Sequence, residues 1–153
     1  MSADDSPIVL DAGAAVHLAR GDAFGVALDE EFSLRRRRIA PIISSVTLGE
    51  ILRIARRQRH VTANDDVSDD QVTALLANLN VVSPNGLVAA EYARLSAALD
   101  DRGDRTDSVV VWVAATASAA RGSVITHRRA FEVFKDEVTC HIVDRSPFER
   151  PAP

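Results

Sequence analysis

Near its N-terminus the chain reads Pro7-Ile8-Val9-Leu10-Asp11-Ala12-Gly13-Ala14-Ala15-Val16. A short continuous apolar run such as Ile8–Leu10 is typical of a buried parallel strand, and the small residues after Asp11 allow an immediate turn into a helix. Asp11 then lies at the carboxyl end of the strand, the edge at which open parallel α/β sheets bind ligands and metals. Two interpretations of Asp11 remain open: it caps the following helix, or it belongs to a ligand or metal site.

Strands and helices alternate along the rest of the chain. The predicted extended segments are Ile39–Ile43, Asn80–Val82, Ser123–Thr126 and Val138–Val143. The predicted helices are Ala12–Leu18, Ser44 or Ser45 to Arg59, Ser68–Leu79, Leu87–Leu99, Asp107–Ala120 and Arg129–Phe134, with 21–33 as a connection holding a helical turn and 100–106 as a loop. This order predicts an α/β fold in which helices cover both faces of a mainly parallel sheet.

Length and composition indicate one domain. The 153 residues are 46% hydrophobic and 26% charged, which is enough for one core, and no linker or repeat divides them. We expect a single domain over 1–153 with flexible tails at about 1–6 and 148–153. No apolar run could span a bilayer and the acidic start is unlike a signal peptide, so we expect a cytoplasmic protein without membrane contact. Cys140 lies in an apolar stretch, which predicts a buried core residue rather than a nucleophile.

The basic residues are concentrated although the net charge is −4. Arg35–Arg38 form a run, and four more arginines fall on one predicted helix: Arg53, Arg56, Arg57 and Arg59. Such a group is either solvated surface or a site for phosphate, because the guanidinium group suits bidentate contact with phosphate oxygens.

Glu50 is a second carboxylate of interest. It lies one turn into a predicted helix, directly after a predicted sheet segment, and could face the strand end that carries Asp11. Two carboxylates that converge there repel each other unless a divalent cation binds both, and oxygen ligands favour magnesium or manganese. The alternative is that Glu50 is an acid near the start of its helix, where the macrodipole favours negative charge.

Over nearly its whole length the chain resembles the PIN domains of VapC toxins from bacterial toxin–antitoxin pairs. The matching segments are Ile8–Ala12, Ala40–Pro41, Ser45–Arg53, Val113–Ala117 and Val124–Phe131. The resemblance implies a three-layer α/β/α sandwich with a central, mainly parallel sheet, and a Mg²⁺- or Mn²⁺-dependent endoribonuclease with three or four acids at the sheet edge. In such a site the metal generates hydroxide and offsets charge on the scissile phosphate. The resemblance also implies an antitoxin partner and a homodimer.

The chain departs from the family at half of these acids. Asp11 and Glu50 fall on the first two acidic positions, which makes them the implied catalytic and metal-binding residues. The third and fourth positions are Val110 and Arg128. Asp107 precedes Val110 by about one helical turn, so it either replaces the third acid as a metal ligand or caps its helix.

Arg128 alters the expected chemistry, because a cation at an acidic position competes with a metal ion. It either pairs with Asp11 or, together with Arg53 and Arg57, contacts RNA phosphate. The neighbouring His127 is either an acid–base group or polar surface. The sequence thus predicts a weak metal-dependent ribonuclease or an inactive PIN-like module that binds RNA or a protein or forms a structural homodimer. The missing acids favour the inactive module.

Overall fold

The sheet consists of five short parallel strands in the computed structural model, which describes residues 6–57 and 67–149. The strands are β1 (Ile8–Leu10), β2 (Ile42–Ser44), β3 (Asn80–Val82), β4 (Ser123–Thr126) and β5 (Thr139–Ile142). Their order across the sheet is β3-β2-β1-β4-β5, so the first strand lies in the centre. All neighbouring pairs are parallel, which brings the carboxyl ends of β1 and β4 side by side at one edge.

Six α-helices connect the strands within the described residues. They are α1 (Ala12–Arg20), α2 (Ala23–Phe32), α3 (Ser45–Arg57), α4 (Asp69–Leu76), α5 (Gly86–Arg102) and α6 (Ser108–Ala119). The predicted brief helix at Arg129–Phe134 is a 3₁₀-helix, and a second 3₁₀-helix covers Ser146–Phe148. The predicted end of the third helix at Arg59 lies outside the described residues.

The core has two parts, one on each face of the sheet. Ile8 and Leu10 of β1 pack into a cluster with residues of α1 to α4, whereas Val9 packs into a cluster with residues of α5, α6 and the first 3₁₀-helix. This alternation follows from the strand period of two, with both faces of the sheet covered. The predicted three-layer α/β/α architecture is confirmed. Within the described ranges, no helix has the length and apolar character needed to cross a membrane.

Two local predictions were wrong. Residues 21–33 contain the ten-residue helix α2 rather than a connection with one helical turn. The side chain of Asp22 caps this helix by accepting the N–H of Gly25, and Phe24 and Leu28, one turn apart, are buried. Cys140 is only partly buried, because β5 lies at the edge of the sheet and alternate residues are exposed. Burial still raises the pKa of the Cys140 thiol to about 11.

The end of α6 stores backbone strain. Arg121 adopts the left-handed region with φ of 56°, a conformation that usually belongs to glycine at the end of a helix. This conformation lets the N–H of Gly122 reach the carbonyl of Ala117 at 2.9 Å. Gly122 itself has no room for a side chain, because an added Cβ would lie 2.2 Å from the carbonyl oxygen of Pro7. The strained position is therefore Arg121, and the sterically closed position is Gly122.

We expect the substitution Arg121→Gly to stabilise the fold. A left-handed residue with a side chain costs about 1–2 kcal/mol, and glycine returns about 0.4–1 kcal/mol of this through the greater entropy of the unfolded chain, which leaves a gain of about 0.5–1 kcal/mol. Urea unfolding at neutral pH measures this gain. A free energy of unfolding equal to or below that of the unsubstituted protein would contradict the interpretation of strain.

Candidate functional site

Asp11 is the buried polar group at the centre of the carboxyl edge. Its side chain is 3% exposed at the junction of β1 and α1. One oxygen, Oδ1, accepts the N–H of Ala14 at 2.9 Å and thus caps α1, which confirms the capping interpretation. The other oxygen, Oδ2, accepts the hydroxyl of Thr126 at the end of β4. Both oxygens of this carboxylate are therefore engaged by the protein itself.

Burial has the largest effect on the pKa of Asp11. Removal from water raises the pKa of this carboxyl, because the charged form loses its hydration. The hydrogen bonds from Thr126 and Ala14, and the positive charges of His127 and Arg128, act in the opposite direction and are outweighed.

A hydrogen-bonded chain runs from Asp11 across the edge of the sheet. The Oγ1 atom of Thr126 donates to Asp11 and accepts the backbone N–H of Arg128 at 2.9 Å. The guanidinium Nη2 of Arg128 lies 2.8 Å from Oδ2 of Asp107. Oδ1 of Asp107 accepts the N–H of Val110 at 3.0 Å and caps α6. The side chains of Asp11, Thr126, Arg128 and Asp107 thereby connect the ends of β1 and β4 to the start of α6.

This arrangement shows the contacts that Asp107 and Arg128 make in the protein. Asp107 is the N-cap of α6, and its second oxygen pairs with Arg128. The predicted direct ion pair between Arg128 and Asp11 is wrong, because the guanidinium group extends to Asp107 instead. Partial burial acts to raise the pKa of Asp107, but the hydrogen bonds from Arg128 and from the N–H of Val110 outweigh it, and the pKa is lowered.

Glu50 lies apart from this chain of contacts. Its side chain on α3 is 38% exposed, and its nearest cation is Nη1 of Arg53 at 3.9 Å. Arg53 and Arg57 are both exposed on α3.

The ring of His127 lies next to Gly13 in the first turn of α1. Its Nε2 lies 2.4 Å from where a Cβ on Gly13 would be, so a larger residue at position 13 would require the ring to shift. Burial lowers the pKa of His127, and this effect outweighs the negative charge of Asp11, which acts to raise it. The ring also makes edge contacts with the rings of His17 and Phe24, at centroid distances of 5.7 and 6.0 Å.

A second polar cluster, formed by His17, Asp22 and Arg145, lies next to His127. Nδ1 of His17 lies 2.7 Å from Oδ2 of Asp22, and Nε2 of His17 lies 3.4 Å from Nη1 of Arg145. Sequence reasoning missed this group and the role of Thr126. A threonine at the end of a Val-Ile strand was the available signal, because a hydroxyl buried there needs a polar partner.

The donors at this edge do not fit the magnesium or manganese site that the resemblance implies. Within residues 6–57 and 67–149, no three or more His, Cys, Asp or Glu side chains are arranged to hold a metal ion. Asp11 accepts two hydrogen bonds from the protein, and Asp107 is paired with the cation Arg128. A divalent cation prefers several anionic or carbonyl oxygens with free lone pairs.

Comparison with known proteins assigns the chain to a protein family. The model of the PIN domain matches residues 8–136, most of the chain. The chain belongs to the PIN domain family. Among curated proteins, no sequence match reaches significance.

Solved structures share the architecture of this PIN domain at low sequence identity. VapBC2 from Rickettsia felis, bound to a promoter DNA fragment, is 14% identical with a TM-score of 0.67, over 88% of this chain and 96% of that chain. VapBC-1 from nontypeable Haemophilus influenzae is 20% identical with a TM-score of 0.67, over 88% and 96%. VapBC-5 from Mycobacterium tuberculosis is 24% identical with a TM-score of 0.60, over 90% and 98%. These similarities concern the fold.

We expect Asp11→Asn to become more stabilising, relative to the unsubstituted PIN domain, as the pH rises. The pKa of Asp11 is raised in the folded state, so between the ordinary value of 3.8 and the folded value the native protein binds more protons than the unfolded chain. Its stability therefore falls as the pH rises through that window. Asparagine caps a helix about as well as aspartate and does not ionise. Urea unfolding in EDTA at several values between pH 3 and pH 7 measures the difference.

Asp22→Asn is the matched control, because Asp22 also caps a helix but its pKa is lowered. Partial burial opposes this shift, and the hydrogen bonds from Gly25 and His17 outweigh it. Its stabilisation is present above pH 3.8 and is lost as the pH falls through the folded pKa. Asp22→Asn should therefore lose stability at pH 7. A difference between Asp11→Asn and the unsubstituted protein that stays constant with pH would contradict the assignment.

Proposed function

We propose that this chain is a VapC-type PIN domain that binds RNA and in which metal-dependent RNA hydrolysis is absent. The observation that carries the proposal is the ion pair of Arg128 with Asp107 beside the buried Asp11. Asp11 and Asp107 both lie at this edge, but the guanidinium group of Arg128 already pairs with Asp107.

The electrostatics of the edge favour the metal-free state. A divalent ion at this edge would share the oxygens of Asp11 with the hydrogen bonds from Thr126 and Ala14 and would compete with Arg128 for the carboxylate of Asp107. The positive charge of Arg128 would also repel the ion at short range. Burial of Asp11 adds to this, because the raised pKa disfavours the anionic form that a metal needs.

Exposed arginines on α3 support RNA as the bound partner. Arg53, Arg56 and Arg57 are exposed, and Arg56 and Arg57 follow Arg53 by three and four residues, which places each of them next to Arg53 on the helix surface. The helix α3 starts directly after β2 at the carboxyl edge, and the three arginines lie toward its other end, with Arg56 and Arg57 in its last turn. Guanidinium groups in such an array suit the phosphates of a single strand.

A protein partner is the second candidate function. Leu87 at the start of α5 is 70% exposed and Val81 on the edge strand β3 is 42% exposed. Exposed apolar side chains next to an edge strand favour contact with another chain, either a second copy or an antitoxin. The solved neighbours include structures described as a toxin–antitoxin complex and as a member of a toxin–antitoxin family.

We expect no Mn²⁺-dependent cleavage of RNA by the purified protein above that of Asp11→Ala. We also expect Arg128→Asp to bind Mn²⁺ at least about tenfold more tightly than the unsubstituted protein, because it removes the competing cation and frees Asp107, a change of about 1.4 kcal/mol. Gel analysis of labelled RNA and isothermal titration calorimetry measure the two effects.

Arg129→Asp is the control for charge. Arg129 is the next residue, is 82% exposed and also pairs with an acid, Glu132. It should leave Mn²⁺ binding unchanged. Equal affinities for the two variants, or RNA cleavage by the unsubstituted protein that Asp11→Ala abolishes, would overturn the proposal of a metal-poor site.

The double substitution Arg53→Ala and Arg57→Ala should weaken RNA binding and its dependence on salt. Each phosphate contact with a single strand contributes about 0.7 to the slope of log K against log salt, so we expect the slope to fall by roughly 1.4. Fluorescence anisotropy with a labelled single-stranded RNA at 50–300 mM KCl measures the slope. Affinity and slope equal to those of the unsubstituted protein would favour the protein-partner candidate instead.

A further inference from the structure

The last described residues of the chain fold back across the carboxyl edge of the sheet. After β5 the N–H of Val143 donates to the carbonyl of Thr126 at 2.8 Å, and the short 3₁₀-helix Ser146–Phe148 follows. The ring of Phe148 then lies 5.6 Å from the ring of Phe24 on α2, measured between centroids. We call residues 144–149 the latch segment, because they join the end of the sheet to α2.

Several contacts of the latch segment lie within the segment itself. The carboxylate of Asp144 accepts the N–H and the hydroxyl of Ser146, both at 2.9 Å. The side chain of Arg145 pairs with Glu149 at 3.1 Å. Phe148 remains 39% exposed although its ring lies against α2. A segment with local hydrogen bonds and so little apolar burial opens at a lower cost in free energy than the core does.

Arg145 connects the latch segment to a histidine on α1. Its Nη1 lies 3.4 Å from Nε2 of His17, and Nδ1 of the same ring lies 2.7 Å from Oδ2 of Asp22. Arginine has donors and no acceptor, so the contact with Arg145 requires a lone pair on Nε2. The carboxylate of Asp22 accepts a hydrogen bond from Nδ1. This arrangement therefore fits a neutral His17 that carries its proton on Nδ1.

A second proton on His17 would reverse the contact with Arg145. Nε2 would become a donor that faces another donor, and two positive charges would lie close together where the side chain of His17 is only 11% exposed. The pair of His17 with Asp22 would become stronger at the same time, because a charged donor then meets the carboxylate. Histidine changes charge between pH 5 and pH 8, whereas arginine stays charged.

The charges of α1 and α2 beside His17 keep their signs over this range of pH. Partial burial acts to raise the pKa of Asp22, but the hydrogen bonds from Gly25 and His17 outweigh it, so the pKa is lowered and the carboxylate stays anionic. Arg20 lies 3.6 Å from the same carboxylate and stays cationic. In this pair of helices, the ring of His17 is the neighbour of Arg145 that changes charge.

His127, just after β4, adds to the repulsion at low pH. Its ring lies 5.7 Å from the ring of His17. Burial lowers the pKa of His127, and the positive charge of Arg145 acts in the same direction, whereas Asp11 acts to raise it. His127 therefore takes up its proton at a lower pH than an ordinary histidine, and its charge then also repels Arg145.

We propose that residues 144–149 form a pH-sensitive latch, which is closed while Arg145 donates to the neutral ring of His17 and opens when that ring is protonated. A cleft of about 340 Å³ lies between the latch segment and the residues after β4, and His127 and Arg129 line it. Opening of the latch widens this cleft beside the buried Asp11. Acidification thereby changes access to the carboxyl edge, whether or not α3 binds RNA.

Amide hydrogen exchange of residues 146–149 tests the latch. The N–H of Phe148 donates to the carbonyl of Arg145 at 2.9 Å, and the N–H of Glu149 donates to the carbonyl of Ser146 at 3.2 Å. We expect the protection factors, corrected for the intrinsic effect of pH on exchange, to be at least about tenfold lower at pH 5.5 than at pH 7.5, because one hydrogen bond to a charged group is lost. Millisecond labelling with mass spectrometry measures them.

Two variants remove the pH response in different ways. His17→Gln replaces the titrating ring by a neutral polar side chain, so its protection factors should be equal at the two pH values. Arg145→Gln removes the cation from a side chain that is 38% exposed, so the fold should be retained. Its latch segment should be weakly protected at both pH values, because the contact with His17 is lost at each.

His141→Gln and Asp11→Asn are the controls. His141 is exposed on β5, and its ring contacts Phe32 on α2 rather than the latch segment. Burial raises the pKa of Asp11, so this group can change charge in acid, but its oxygens bond to Ala14 and Thr126. Both variants should keep the roughly tenfold response of the unsubstituted protein.

The latch is overturned if residues 146–149 of the unsubstituted protein have equal protection at pH 5.5 and pH 7.5, or lack protection at both. It is also overturned if the pH response survives in His17→Gln or Arg145→Gln, or is lost in either control. Protection of the core strands, measured in the same experiment, verifies that each variant is folded.

Discussion

The buried carboxylate of Asp11 is the constraint that organises this PIN domain. It lies where the central strand ends, and its two oxygens bond to the first turn of α1 and to Thr126 at the end of β4. A carboxylate with so little exposure is stable only when both oxygens are satisfied. The positions of α1, β1 and β4 at the carboxyl edge therefore depend on one another, and the contacts of Arg128 and Asp107 continue from the same hydroxyl group.

The ion pair of Arg128 with Asp107 supplies a positive charge at this edge, as a bound metal does in a cluster of acids. The guanidinium group of Arg128 connects the end of β4 to one carboxylate, Asp107 at the start of α6, whereas a metal ion in a cluster of acids binds several carboxylates at once. A guanidinium group differs from a metal ion in that it cannot activate water or accept the oxygens of a phosphate into a coordination shell.

The sequence predicted the order of elements well, because apolar runs and helix caps are local signals. The strands β1, β3 and β4 and the capping role of Asp107 follow from residues close together in the chain. The helix α2 was missed because Gly25 lies in its first turn and its last turn is acidic, both of which are typical of a connection. The partner of Arg128 could not be predicted, since Asp11 and Asp107 are both near it and only side-chain direction separates them. The left-handed Arg121 also has no sequence signal, because arginine at a helix end is ordinary.

The order of strands in the sheet also sets when the site is completed. Asp11 and the threonine that donates to it are separated by 115 positions in the chain. During synthesis β1 emerges first and can pair with β2, which then pairs with β3, but the other edge of β1 stays open until β4 has been made. Contacts of such long sequence separation form late in folding, because closing the intervening chain costs conformational entropy before the contact contributes stability. The carboxylate is therefore the first group of the site to be made and among the last to be enclosed.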